Sequence, residues 1–142
     1  MQKQEIKVSK TARYFTLGNL NFETTEIWFV LHGYAQTADV FLEDFKMLES
    51  ENTFIIAPEG LSRFYWKDFT TNPVASWMTK TDREIDIQDN IDYLNSLYSK
   101  ITEEIDLKKV KINEENICWH TLNTEEQNWS KKDSSIALLQ ES

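Results

Sequence analysis

Ile27-Trp28-Phe29-Val30-Leu31-His32-Gly33-Tyr34 is the stretch of sequence on which the predicted fold depends. Its first five residues are continuously apolar, which is typical of a strand buried on both faces, as in a parallel sheet. Residues 53–57, Thr-Phe-Ile-Ile-Ala, have the same character and are followed at once by a proline, which favours the end of a strand. The sequence therefore predicts two buried strands.

The segment between these strands predicts a helix over residues 37–49. Thr37 can cap it, and the apolar residues that follow recur at helical spacing. Residues 27–57 then form a strand, a helix and a second strand, and such a unit crosses over with a right hand.

Residues 82–105 are predicted as the longest helix. Thr81 and Glu84 have the spacing of a capping box, in which each side chain satisfies a free amide of the first turn. One apolar stripe runs along this segment: Ile87, Ile91, Leu94, Tyr98, Ile101 and Ile105. Residues 109–112 begin another strand in this interpretation.

The remaining segments predict a hairpin and a long loop. Ile6 and Val8 alternate with charged residues in the segment 5–8, and residues 12–17 are rich in strand-forming residues. A short polar turn separates the two segments, which indicates an N-terminal hairpin. Residues 58–80 contain both prolines and many aromatic residues, and a loop of that length in a compact domain is commonly functional. The predicted fold class is α/β, with a mostly parallel twisted sheet and flanking helices.

Composition excludes several classes of function. The 142 residues suffice for one domain, and the net charge of −9 argues against binding to nucleic acid or to an anionic membrane. A single cysteine provides no disulfide framework and no cysteine-rich zinc site. No apolar run reaches about 18 residues, and the first residues carry no apolar signal core, so a cytoplasmic protein is expected.

Motifs for nucleotide binding and for common nucleophiles are absent from the sequence. The three glycines, Gly18, Gly33 and Gly60, are too far apart for a dinucleotide fingerprint or a P-loop, and no Gly-x-Ser-x-Gly elbow occurs. Histidine chemistry would have to use His32 or His120. We expect no cofactor.

Two other candidate nucleophiles are weak. Ser62 follows a buried strand, but Phe64 stands where a nucleophile elbow needs a small residue. Cys118 lies two residues from His120, a spacing that brings side chains together only on a strand. This pair supplies two ligands where structural zinc needs four, so no metal site is predicted.

Three motifs resemble the phospholipase/carboxylesterase branch of the α/β-hydrolases, a family of serine esterases. Leu31-His32-Gly33-Tyr34, after a strand and before a helix, resembles the first catalytic loop of that family. Ala57-Pro58-Glu59-Gly60-Leu61-Ser62 is similar to the exit of its fourth strand. Ala75-Ser76-Trp77-Met78, followed by Asp82-Arg83-Glu84, is similar to its substrate-side loop. The resemblance covers residues 5–112.

The resemblance implies an activity and a set of site residues. The parent activity is hydrolysis of a carboxylic ester, such as a lysophospholipid or a small acyl ester, through a serine acyl-enzyme. The backbone N–H of Tyr34 would contribute to the oxyanion hole, with His32 and Gly33 beside the substrate. Trp66 and Trp77 would form walls of the pocket.

The sequence departs from the family after residue 112. The nucleophile elbow is replaced by Asn-Glu-Glu-Asn-Ile-Cys at residues 113–118, and the acid and the catalytic histidine have no counterpart. We therefore predict a partial hydrolase domain over residues 1–112, which is inactive alone, and a divergent, poorly ordered tail over residues 113–142. A truncation or a change of reading frame would account for the departure.

Two alternatives to a family-level esterase remain open at this point. The chain is either a non-catalytic, vestigial hydrolase domain that binds an acyl ligand or a protein partner, or a small interaction domain unrelated to hydrolases. Without its next strand, the segment 27–31 would form an exposed apolar edge. The chain would then form a homodimer through this edge, or would fold its tail across it.

Overall fold

The computed structural model describes residues 1–103, 105 and 117–119. Their elements, in chain order, are β1 (Tyr14–Leu17), β2 (Glu26–Leu31), α1 (Ala38–Leu42), a 3-10 helix (Glu43–Leu48), β3 (Thr53–Pro58), β4 (Ser62–Tyr65), β5 (Pro73–Ser76), α2 (Arg83–Thr102) and β6 (Ile117–Trp119). The larger sheet has the strand order β1-β3-β2-β6, and β4 and β5 form a separate two-stranded sheet.

The pairing of the strands shows that the predicted fold class is wrong. β2 is parallel to β3, with Ile27 opposite Phe54, and is also parallel to β6. β1, however, is antiparallel to β3, and β4 is antiparallel to β5. The described strands therefore form one mixed sheet and one antiparallel hairpin, not the mostly parallel twisted sheet of a partial α/β-hydrolase.

The predicted N-terminal hairpin is also wrong. Residues 5–8 form no strand, and Ile6 and Val8 remain exposed, so the alternating pattern there has no apolar surface to cover. The arm lies near the start of α2, where Lys3 Nζ is 2.8 Å from Asp82 Oδ1. β1 pairs instead with β3, which is far away in sequence.

The core lies on both faces of the larger sheet. On one face, α2 packs against strand residues, and the buried members are Ile27, Phe29, Phe54, Ile56, Leu97, Tyr98 and Ile101. On the other face, α1 packs against the same two strands, and the buried members are Val30, Ala38, Phe41, Leu42, Ile55 and Ala57. Alternate residues of each central strand enter opposite clusters, which explains why both strands are continuously apolar.

The helices differ from the predictions at their ends. The segment predicted as one helix over 37–49 is a short α-helix followed by a 3-10 helix with no buried residue. α2 begins after Asp82, whose φ of 54° is left-handed, and no side chain caps it there. The predicted capping box of Thr81 and Glu84 is therefore wrong. Instead, the Asp86 carboxylate accepts a hydrogen bond from the Thr79 N–H at 2.9 Å.

The segment predicted as a loop over residues 58–80 contains the hairpin of β4 and β5. Ser62 lies opposite Ser76, and Tyr65 lies opposite Pro73. The backbone of Gly60 approaches the second strand so closely that a Cβ atom there would lie 2.5 Å from the Ser76 carbonyl oxygen. The hairpin therefore brings this aromatic segment against the loops of the larger sheet.

Part of the edge of β2 is covered by the chain's own tail, which is one of the two arrangements predicted for this edge. Residues 29–31 pair with β6. β6 lies within the tail over 113–142 that was predicted to be poorly ordered. The rest of that tail and the predicted strand over 109–112 lie outside the described residues.

Candidate functional site

The loops that follow β2 and β3 lie side by side. The two strands are parallel neighbours, so residues 32–37 and residues 59–61 leave the sheet at the same edge. The end of β5 joins them, since Gln36 forms an isolated bridge with Ala75. Ligands of sheets with parallel strands commonly bind beyond this edge.

His32 fastens the two loops to each other. Its ring is 2% exposed, and Nε2 lies 2.9 Å from the Gly60 nitrogen, whose N–H donates to it. The ring proton must then be on Nδ1, which donates to the Gly33 carbonyl oxygen at 2.8 Å. Burial lowers the pKa of His32 and so favours the neutral ring. Both nitrogens are thus engaged by backbone, which leaves neither of them to a ligand or a reacting proton.

Trp77 lies beneath this loop rather than at a surface. Its indole N–H donates to the His32 carbonyl oxygen at 2.9 Å, and its ring stacks on the imidazole with centroids 5.0 Å apart. Trp77 is buried together with Leu31 and Met78. The residue that the resemblance placed in a pocket wall therefore supports the turn from inside the protein.

The backbone amides of the turn after β2 have different partners. The Gly33 N–H donates to Gln36 Oε1 at 2.7 Å, and the Ala35 N–H donates to the Ala75 carbonyl oxygen at 3.1 Å. Between them, the Tyr34 N–H has no acceptor among the described residues. A backbone N–H in this position can donate to an oxygen atom of a ligand.

The side chain of Tyr34 lies in a group of three aromatic rings, which we call the Tyr34 cluster. It stacks on Phe64 with centroids 5.5 Å apart and meets Trp66 edge to face at 5.4 Å. Trp66 is 52% exposed. The structure thus brings Tyr34 together with Trp66, and His32 together with Trp77, as two separate pairs.

An ion pair with a buried carboxylate anchors the second loop. The sequence analysis did not predict it. Glu59 is buried directly after β3, and Arg13 contacts both of its oxygens, from Nε at 2.6 Å and from Nη2 at 3.1 Å. The Ala38 N–H also donates to Glu59 Oε2, at 3.2 Å. The carboxylate raises the pKa of Arg13. A charged residue immediately after a buried strand was the available signal.

The remaining candidates within the described residues do not form a catalytic group. Ser62 begins β4, and the His32 ring, the one described imidazole, is bound by Gly60 and Gly33. Cys118 lies in β6, and His120 lies outside the described residues. No group of three or more histidine, cysteine or acidic side chains within the described part of the chain could hold a metal ion.

Comparison of the chain with protein-family models gives no match, and comparison with curated proteins gives none either. In the part of the chain that the structure describes, no helix has the length and apolar character needed to cross a membrane.

Proposed function

We propose that this chain is a non-catalytic domain that binds a small, neutral acyl ester at the turn after β2. The observation that carries the proposal is the Tyr34 N–H, which has no acceptor among the described residues. The ring of the same residue, Tyr34, contacts the half-exposed indole of Trp66. An ester has the matching parts, a carbonyl oxygen to accept the hydrogen bond and an apolar chain to lie on aromatic rings.

We propose no catalysis, because no described residue at the site supplies a free imidazole base. A serine esterase needs an imidazole nitrogen within hydrogen-bond reach of its nucleophile. Both nitrogens of His32 hold backbone groups, and burial favours its neutral form. Without a base to activate an attacking hydroxyl, a donor to the carbonyl oxygen binds the ester but does not by itself drive its hydrolysis. We infer that the turn derives from a serine esterase whose activity this chain does not carry.

The charge of the chain selects a neutral ligand. With a net charge of −9, the protein repels phosphates and free carboxylates at low ionic strength. Arg13, a cation that contacts the second loop, is already paired with Glu59. We place the protein in the cytoplasm, because a single cysteine is typical of a reducing compartment.

The proposal is tested with p-nitrophenyl butyrate and ethyl butyrate on the full chain. We expect hydrolysis of the first at the background rate, and a saturable shift of the Tyr34 amide resonance on titration with the second. Tyr34→Pro, which removes the N–H, should abolish the shifts of neighbouring amides, whereas Trp66→Ala should weaken binding. Phe22→Ser, at an exposed ring outside the site, serves as the control.

Two results would overturn the proposal. Hydrolysis that disappears in Ser62→Ala would show that the chain is an esterase with an unforeseen nucleophile. Ester-dependent shifts that persist unchanged in both Tyr34→Pro and Trp66→Ala would show that the ligand binds elsewhere.

A further inference from the structure

The tip of the β4–β5 hairpin exposes aromatic rings of a second group. Tyr65 is 50% exposed and Phe69 is 86% exposed, and their rings meet edge to face with centroids 5.5 Å apart. The next residue after Tyr65, Trp66, is half exposed as well. We call Tyr65 and Phe69 the hairpin tip. Large apolar side chains exposed side by side indicate a surface that contacts another phase or molecule.

The turn around Phe69 is held in shape by its own polar residues. The Thr70 N–H donates to Asp68 Oδ1 at 2.8 Å, and the Thr71 hydroxyl donates to the Asp68 carbonyl oxygen at 2.9 Å. The Thr70 hydroxyl also donates to Asp68 Oδ1, and the two hydrogen bonds from Thr70 lower the pKa of Asp68. The turn therefore presents Phe69 to solvent in a fixed backbone conformation, at little further entropic cost when a surface covers the ring.

The charge around the tip differs from that of the whole chain. The segment over residues 62–72 carries two cations, Arg63 and Lys67, against one carboxylate, Asp68. The rest of the chain is strongly acidic, since the whole carries a net charge of −9. An anionic surface would repel the body of the protein, whereas a surface of zero net charge would accept the tip without opposing it.

From these observations we propose that the hairpin tip docks on a neutral, zwitterionic lipid surface. Tyrosine and phenylalanine rings enter the boundary between headgroups and acyl chains, where one end of a tyrosine stays wet. Lys67 and Arg63 flank the rings and can extend toward lipid phosphates, as long cationic side chains do at such boundaries. The contact is peripheral and uses side chains of one loop. It does not depend on the ester site proposed above.

The test measures binding of the full chain to vesicles of phosphatidylcholine by co-sedimentation. We expect reversible binding of the natural sequence, and a partition coefficient about tenfold lower for Phe69→Ser, since one exposed aromatic ring no longer enters the interface. Tyr65→Ser should lower it less, because the hydroxyl of tyrosine keeps contact with water. Phe69→Trp should keep the binding that Phe69→Ser loses. Adding phosphatidylserine at low salt should weaken it.

The control is Phe22→Ser, at a ring that is 93% exposed and lies outside the hairpin. An equal loss in this variant would show general hydrophobic adsorption and would overturn the assignment to the tip. Absence of binding by the natural sequence would overturn the proposal itself, as would stronger binding to vesicles that contain phosphatidylserine. A dimer in analytical ultracentrifugation that dissociates in Phe69→Ser would show that the tip joins two copies of the chain, and it would also overturn the proposal.

Discussion

Arg13 and Glu59 form an ion pair whose two members are unequally buried. The guanidinium contacts both carboxylate oxygens, at 2.6 and 3.1 Å. The Arg13 side chain is 48% exposed, whereas the Glu59 side chain is 1% exposed. Water can therefore solvate the arginine if its partner is removed, but it cannot reach the glutamate. The pair joins the residue before β1 to the loop after β3, which carries part of the candidate site.

This asymmetry predicts unequal losses of stability. Arg13→Met leaves a buried carboxylate without its cation and should lower the free energy of unfolding by about 3–5 kcal/mol. Glu59→Gln keeps a hydrogen-bond acceptor for the Ala38 N–H and leaves an arginine that water can solvate, so about 1–3 kcal/mol is expected. Urea unfolding at neutral pH, followed by circular dichroism, measures both. A larger loss in Glu59→Gln than in Arg13→Met would contradict the argument.

His32 predicts a loss of stability between neutral and mildly acidic pH. Burial lowers its folded pKa below the ordinary value of 6.5, so the unfolded chain binds the proton first as the pH falls. The stabilisation is present above about pH 6.5 and is lost as the pH falls toward the folded pKa. Glu59 acts in the opposite direction, because its charge raises the pKa of His32, but desolvation is the larger effect.

The measurement is the free energy of unfolding from about pH 7.5 to about pH 5, for the natural sequence and for His32→Gln. Glutamine retains an acceptor for the Gly60 N–H but does not titrate. We expect a shallower slope in the variant. His120 is present in both proteins, so the difference between the slopes isolates His32. Identical slopes would show that His32 protonates equally in the folded and unfolded chains.

The sequence predicts the central strands correctly because each is buried on both faces, and continuous apolar character needs no partner to be recognised. The prediction fails where the formation of a strand depends on the segment that packs against it. Residues 5–8 alternate as a strand does, but nothing apolar lies against Ile6 and Val8. The strands of the hairpin are four residues each. β4 alternates between partly exposed and exposed positions, and β5 buries only Ala75 and Ser76, so no apolar run marks them.

The candidate site was predictable in part for the same reason. The turn at Tyr34 follows a buried strand and has a local signature. The contact of Tyr34 with Trp66 depends on the close approach of the hairpin, and no local pattern records it. The burial of Trp77 under the turn depends on its hydrogen bond to His32.

Gly60 predicts how the hairpin is held against the sheet. A Cβ atom there would lie 2.5 Å from the Ser76 carbonyl oxygen and 2.8 Å from its carbon, and both atoms belong to backbone. Gly60→Ala must therefore push β5 away, at about 1–3 kcal/mol. We also expect weaker near-ultraviolet circular dichroism, because the Tyr34 cluster joins the turn after β2 to the hairpin segment. Ser62→Ala, on the neighbouring strand, is the control. Native stability of Gly60→Ala would show that β5 can move away from residue 60 at no cost.

The backbone conformation of Ala35 predicts that glycine is tolerated there, although replacement of alanine by glycine usually lowers stability. Its φ of 58° lies in the left-handed region, which costs a residue with a Cβ about 1–2 kcal/mol. Ala35→Gly removes that strain and costs about 0.5–1 kcal/mol of chain entropy, so the variant should be as stable as the natural sequence or up to about 1 kcal/mol more stable. Ala38→Gly, at the buried first residue of α1, loses a buried methyl group as well as helix propensity and should lose about 1–2 kcal/mol. Urea midpoints of the two variants decide the matter, since equal destabilisation by both would show that the turn stores no strain at residue 35. Because the Ala35 N–H is bound to Ala75 in either case, the Tyr34 N–H should remain available, and ester binding should survive the substitution.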